Sequence, residues 1–184
     1  MNFSFAQLGK NAWALFSHVF LQLPDIFFNS IPAFGPLYHV SIPFVFVGII
    51  VFTIQLFREK NIEKQTQMLA LWGFLVTGIW VGLITYEVNI NRVNIIFYPI
   101  ILLCAYGIGL AVRKWKKLWP VVAAAYGISS ILFFGTYFTT YAEESREYYN
   151  KDFVEAVAEA DSLEEYESLY ITGNLGWQFN RDAT

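Results

Sequence analysis

The sequence predicts an all-α membrane protein. It reads as four transmembrane helices, an N-terminal interfacial amphipathic helix and a truncated extracytoplasmic α/β tail. Three observations carry this. Of 184 residues, 56% are apolar, 19% aromatic and only 15% charged, against about 25% charged in an ordinary soluble domain. Four apolar runs fall within residues 37–141, each near the roughly 20 residues that cross ~30 Å of hydrocarbon. Basic residues gather in two short loops between those runs. The same composition excludes intrinsic disorder, a coiled coil and a basic nucleic-acid module.

Residues 1–36 form the first region, extracytoplasmic by the argument below. Lys10 is its only Lys or Arg, and no short apolar core marks a signal peptide. Gln7, Lys10, Asn11, Ser17, His18 and Gln22 recur at helical spacing, opposite Phe5, Leu8, Ala12, Leu15, Phe16, Val19 and Phe20. That pattern predicts an amphipathic helix in the outer interface, with His18 solvated on its polar face. Pro24, Pro32, Gly35 and Pro36 then break the chain into a loop. An extracytoplasmic start without an insertion signal predicts that Met1 is internal to a longer protein.

The spans follow as 37–57, 69–88, 93–112 and 119–141. Pro99 inside the third predicts a kink and a freed carbonyl, and Gly107 with Gly109 predicts close helix approach. Arg58, Lys60 and Lys64 lie between spans one and two. Arg113, Lys114, Lys116 and Lys117 lie between three and four, whereas the loop between two and three holds only Arg92. The positive-inside rule puts the two basic loops in the cytoplasm and both termini outside, as expected for a multi-pass plasma-membrane protein.

The tail, residues 142–184, carries 11 acids against three bases, Arg146, Lys151 and Arg181. Phe153, Ala156, Val157 and Ala160 make an i, i+3, i+4, i+7 stripe on one helix capped by Asn150. Ser168–Thr172 reads as a strand that Gly173 ends. One helix and one strand cannot bury a core, so the tail reads as the start of an α/β domain.

Polar residues concentrate at the outer junction of spans two and three: Thr85, Tyr86, Glu87, Asn89, Asn91, Arg92, Asn94 and Tyr98. A helix beginning near Asn91 places Asn91, Asn94 and Tyr98 on one face. An arginine fork beside amide and phenol donors suits a phosphate or pyrophosphate at the membrane surface, with Glu87 orienting Arg92 or handling a proton. The plainer reading has Arg92 snorkelling to headgroups, the asparagines capping helices and Tyr98 in the aromatic belt. His39 and Tyr38, at the mouth of span one, either meet this site or are hydrated helix-end residues. Cys104 at mid-span reads as packing. One cysteine and two histidines give neither a disulfide nor a standard zinc site. The sequence lacks a P-loop, a nucleophile elbow, a metalloprotease motif and EF-hand spacing, and identifies no cofactor.

The run NINRVNIIFYPIILLCAYGIGLAV at 89–112, preceded by LPDIFFNSIPAFGPLYHVSIPFVFVGI at 23–49, resembles the later spans of bacterial multi-spanning membrane glycosyltransferases. These are the C-type fold relatives of protein O-mannosyltransferases and lipid A aminoarabinose transferases. Members carry an outer-face arginine at the start of a late span and a proline some residues on, here Arg92 and Pro99. A basic turn, one more span and an extracytoplasmic α/β region follow, matching 113–184. The resemblance implies inverting sugar transfer from a polyprenyl-phosphate donor to an extracytoplasmic acceptor. It also implies that this portion recognises the donor phosphate through Arg92, Asn91, Asn94, Tyr98, Glu87 and His39. The family's catalytic aspartate lies in the first outer loop of an N-terminal bundle and has no counterpart here; Asp25 is in the wrong context. The implied partners are therefore membrane lipid, the lipid-linked sugar and a missing N-terminal membrane bundle, with this portion inactive alone. The rival class is a non-enzymatic four-span scaffold or transporter subunit. A transporter should carry ionisable or broken-helix features at the bilayer midplane, where these spans carry no charge.

Overall fold

The structure, a computed structural model, describes residues 4–148, 155–159 and 162. Among the described residues every regular element is helical. Four stretches are long and apolar enough to cross a membrane: His39–Arg58, Ile62–Ile84, Asn94–Lys114 and Leu118–Ser145. The described residues form an all-helical membrane protein with four such spans.

Helix α1 (Phe5–Val19) starts where Ser4 Oγ accepts from Gln7 N at 3.2 Å. Its end is built by Gln22, a left-handed residue at φ 56°. The buried Gln22 amide donates to Val19 O at 2.5 Å and His18 O at 3.3 Å, and accepts from Leu37 N at 2.6 Å. One side chain thus closes the helix and fixes the loop to the first span. Gly35 lies against it at φ 67°, where an added Cβ would sit 2.6 Å from Gln22 Cβ. Only glycine fits there, on conformation and on space.

Helix α2 (Ile42–Arg58) follows a 3₁₀ turn at His39–Ser41. Glu59 and Asn61 make the tight reversal to α3 (Ile62–Ile84). Glu59 Oε1 accepts from the amides of Lys60 and Asn61, and Asn61 Oδ1 from those of Glu63 and Lys64, all at 2.9–3.1 Å. This cap starts α3 at Ile62 instead of Leu69, since a capped helix continues past the apolar run that hydropathy detects. The cap also shortens the predicted basic loop to a turn.

Helix α4 (Phe97–Lys114) begins after a 3₁₀ turn at Asn94–Ile96. This corrects two expectations. Pro99 falls in the first turn of α4, where its missing N–H needs no partner, so it does not interrupt a helix interior. Residues 91–93 are turn and not helix, so Asn91, Asn94 and Tyr98 do not share one α-helical face.

The tightest packing joins α2 and α4. A Cβ on Gly48 would lie 1.9 Å from Leu103 O, and one on Gly107 would lie 2.0 Å from Phe44 O. Each glycine covers the carbonyl one turn N-terminal to the other, the pattern of two helices running in the same direction. Gly109 meets nothing within 4 Å, so only Gly107 of the predicted pair allows close approach. Val45, Leu75, Val93, Ile96, Ile100, Leu103 and Cys104 bury around this crossing, which fits the packing role read for Cys104. Helix α3 joins through Gly78, against the Ile96 backbone.

Helix α5 (Leu118–Thr136) is much less enclosed, with Val122 as its one fully buried residue among those described. Tyr126 and Phe133 hold it through ring contacts to Tyr38 at 6.2 Å each.

The second compact unit starts at Phe134. It contains a π-helical segment, Tyr137–Tyr141, and helix α6 (Ala142–Tyr148). Residues 155–159 are helical. Asn150, Phe153, Ala160 and the predicted strand Ser168–Thr172 lie outside the described residues.

Candidate functional site at the Arg92 rim

The bundle has a basic end, formed by the turns at 59–61 and 115–117, and an opposite rim formed by the 85–96 loop. Five of the six residues singled out for phosphate recognition lie on or near this loop; the structure brings Arg92 and Glu87 together and gives the other three separate surroundings. Arg92 Nη1 donates to Glu87 O at 3.1 Å and lies 3.9 Å from Glu87 Oε2, with the two side chains 50% and 72% exposed. Its own amide is fixed by Asn89 Oδ1 at 2.9 Å. Backbone is therefore well held while the guanidinium is presented to the outside. Asn91 donates to Asn29 Oδ1 and so belongs to a tie between loops. Asn94 opens the 3₁₀ turn and is exposed. Tyr98 stacks on Phe74 of α3, centroids 6.3 Å apart. His39 is exposed at the first turn before α2 and shares no hydrogen bond or ion pair with this group among the described residues. Its neighbour Tyr38 turns away, onto Tyr126 and Phe133.

Two rim residues escaped sequence reasoning. Asp25 Oδ2 accepts from Ile90 N at 2.6 Å and from Asn29 Nδ2 at 3.0 Å, while its Oδ1 is enclosed without a hydrogen-bond partner. With Asn29 and Asn91 it fastens the 25–29 loop to the start of the arginine loop. No local signal marks this, because the partners are separated by 65 residues.

The rim is also braced from α1. Asn11 Nδ2 donates to Leu83 O at 2.8 Å and Thr85 O at 2.7 Å, satisfying carbonyls at the C-terminal end of α3. Gln7 Nε2 donates to Tyr86 O at 3.1 Å and to Asn11 Oδ1 at 2.9 Å. His18, expected to be solvated, is 6% exposed and donates from Nδ1 to Leu23 O at 2.9 Å. The polar side of α1 faces protein because the carbonyls at the helix ends require donors.

Deeper in the bundle lies an apolar cavity of about 410 Å³ between the 35–38 loop, α4 and α5. Its polar wall is a cluster in which Ser41 Oγ and Tyr126 Oη are 2.7 Å apart. The Cys104 thiol lies 3.5 Å from that phenol and 3.6 Å from Ser41 O. No group of three or more His, Cys, Asp or Glu side chains capable of holding a metal occurs among the described residues. No family model, curated protein or solved structure matches the chain.

Proposed function

We propose that this chain is the donor-recognising membrane region of a glycosyltransferase. In this reading it moves a sugar from a polyprenyl-phosphate donor to an acceptor on the non-cytoplasmic side of the plasma membrane, with the Arg92 rim and both termini on that side. The observation that carries the proposal is the state of Arg92. Its guanidinium is half exposed at the edge of an apolar bundle, with one backbone carbonyl and a 3.9 Å carboxylate as partners. An exposed ion pair of this kind contributes about 0–1 kcal/mol. A phosphate that takes two charge-assisted hydrogen bonds gains roughly 1.5–3 kcal/mol from each and so displaces Glu87. The resemblance at 89–112 supplies the sugar-transfer chemistry, and an upstream bundle supplies the catalytic aspartate in that reading. Asn94, exposed two residues after Arg92, is a second donor for the same anion.

The test is a titration of the purified protein in nanodiscs with a polyprenyl phosphate and with the matching polyprenol. The phosphate binds and the alcohol binds far more weakly. Arg92→Ala loses at least about tenfold in affinity, the equivalent of ~1.4 kcal/mol. Arg92→Lys recovers only part, because an ammonium keeps the charge and loses the planar fork. Asn94→Ala and Tyr98→Ala give smaller losses. Full binding by Arg92→Lys, or equal binding of phosphate and alcohol, refutes the phosphate site and favours a non-enzymatic scaffold.

A further inference from the structure

Helix α1 presents an unusual pair of faces. Asn11, Leu15, His18 and Val19 are buried against the rest of the bundle, while Phe5, Trp13 and Phe16 point outward, Trp13 at 63% exposure. An ordinary surface helix turns its polar side to water and its apolar side inward. Here the polar side chains are spent on protein: Asn11 on the α3 carbonyls, Gln7 on Tyr86 O and His18 on Leu23 O. Only Ser17 Oγ is left enclosed without a bond on this helix. Such internal satisfaction is what a helix needs where water is absent.

The outward face continues into the exposed face of a helix long and apolar enough to cross a membrane. Trp13, Phe16 and Phe20 form a row with centroids 5.7 and 5.4 Å apart, and Phe20 stacks at 5.1 Å on Phe46 of α2. Phe46 belongs to the exposed face of a membrane-crossing helix, with Ile50 and Ile54 further along. It lies seven residues in from His39, about 10 Å below the end of that span at 1.5 Å per residue. The far end of α1 therefore reaches the depth, roughly 5–10 Å, at which interfacial helices bury their apolar side. Gly82, which receives Leu15 two residues before the end of α3, sets a shallower depth of about 3 Å for the middle of the helix, so α1 slopes inward toward Phe20. Lys10 is exposed on the flank, with a stem of the length that lets lysines reach headgroups.

We infer that α1 is sunk among the acyl chains of the leaflet at the Arg92 rim, its Phe5–Trp13–Phe16–Phe20 face against lipid. The continuity of this row with the lipid face of α2 identifies acyl chains as its cover. Embedded there, α1 holds the end of α3 and the start of the arginine loop at a fixed height in the leaflet.

Nitroxide labels on single cysteines replacing Gly9 and Trp13 test this in liposomes, with labels at Ile50 and Glu63 as lipid and water references. Gly9 has open space around it, so its label leaves the packing intact. Both α1 positions should show oxygen collision rates above and nickel-chelate rates several-fold below those of Glu63, with Trp13 closer than Gly9 to the values at the deeper Ile50. Nickel rates like those of Glu63 overturn the inference in favour of water. Immobile spectra shielded from both reagents overturn it in favour of a protein partner or second copy. The unsubstituted protein provides a separate measurement: a phospholipid carrying a mid-chain diazirine should label 13–20 together with 46–54. Labelling of 46–54 alone refutes the embedding.

Discussion

Gly107→Ala is the substitution for which the structure gives the sharpest expectation. The new methyl would lie 2.0 Å from Phe44 O, 2.9 Å from Phe44 C and 3.0 Å from Gly48 N. All three are backbone atoms of α2, so no side chain can rotate away. A carbon needs roughly 3.3–3.6 Å from a carbonyl oxygen, so the two helices must separate by well over an ångström. A gap of about 0.5–1 Å already forfeits a quarter to a half of the dispersion attraction across it. Lipid chains are as apolar as leucine, so packing is what holds membrane helices together. Overpacking of this kind costs about 1–3 kcal/mol. At roughly 2–4 °C per kcal/mol for a chain of this size, the midpoint of thermal unfolding in detergent should fall by several degrees. Gly48→Ala, aimed 1.9 Å from Leu103 O, should cost a similar amount, and the double variant less than the sum, because one separation relieves both clashes. Gly109→Ala, with nothing within 4 Å, is the control and should leave the midpoint unchanged. Equal midpoints for Gly107→Ala and Gly109→Ala would refute the packing argument.

Two further expectations concern the cap on α3 and the orientation. Asn11→Ala leaves Leu83 O and Thr85 O without their donor and should cost about 1–3 kcal/mol by urea or thermal unfolding. Asn11→Asp, of equal size, turns an acceptor on two carbonyls and should cost more, so an Asp variant as stable as wild type would contradict the cap. For orientation, an impermeant maleimide on intact cells in a Cys104→Ala background should label Ser162→Cys and leave Lys60→Cys unlabelled. The reverse pattern inverts the proposed topology.

Four spans were readable because each is a long apolar run, and lipid compels such runs to be helical. The ends were less readable, since hydropathy is blind to caps. Asn61 starts α3 before the apolar segment begins, and the 3₁₀ turn at Asn94–Ile96 delays α4 until Phe97. That delay makes Pro99 a first-turn residue and dissolves the expected face of Asn91, Asn94 and Tyr98. The amphipathicity of α1 was legible in period but not in direction. A helical wheel shows that polar and apolar residues separate; it does not show whether carbonyls or water wait on the polar side. The Asp25–Ile90 bond was out of reach because nothing in either segment names the other.

The rim also shows how a polar cluster in a membrane protein should be weighed. Residues 85–98 looked like one concentrated site, yet most of the polar side chains that the structure gathers at the rim close off backbone. Asn11 and Gln7 serve the end of α3, Asn89 serves Arg92 N, and Asp25, Asn29 and Asn91 serve one another and Ile90 N. These bonds are needed near hydrocarbon, where an unsatisfied backbone group costs several kcal/mol, whether or not any ligand binds. What remains for chemistry is what that accounting leaves over. The guanidinium of Arg92 has one carbonyl and a distant carboxylate for its five donor hydrogens, and the side-chain amide of Asn94 has no hydrogen bond among the described residues. In the proposed reading, an arginine whose backbone is fixed while its fork stays underused meets an anion with the backbone share of the ordering cost already met. In that reading the surrounding polar residues bear on function through position, holding the loop that presents Arg92, and substitutions among them should be read first as changes in where that guanidinium stands.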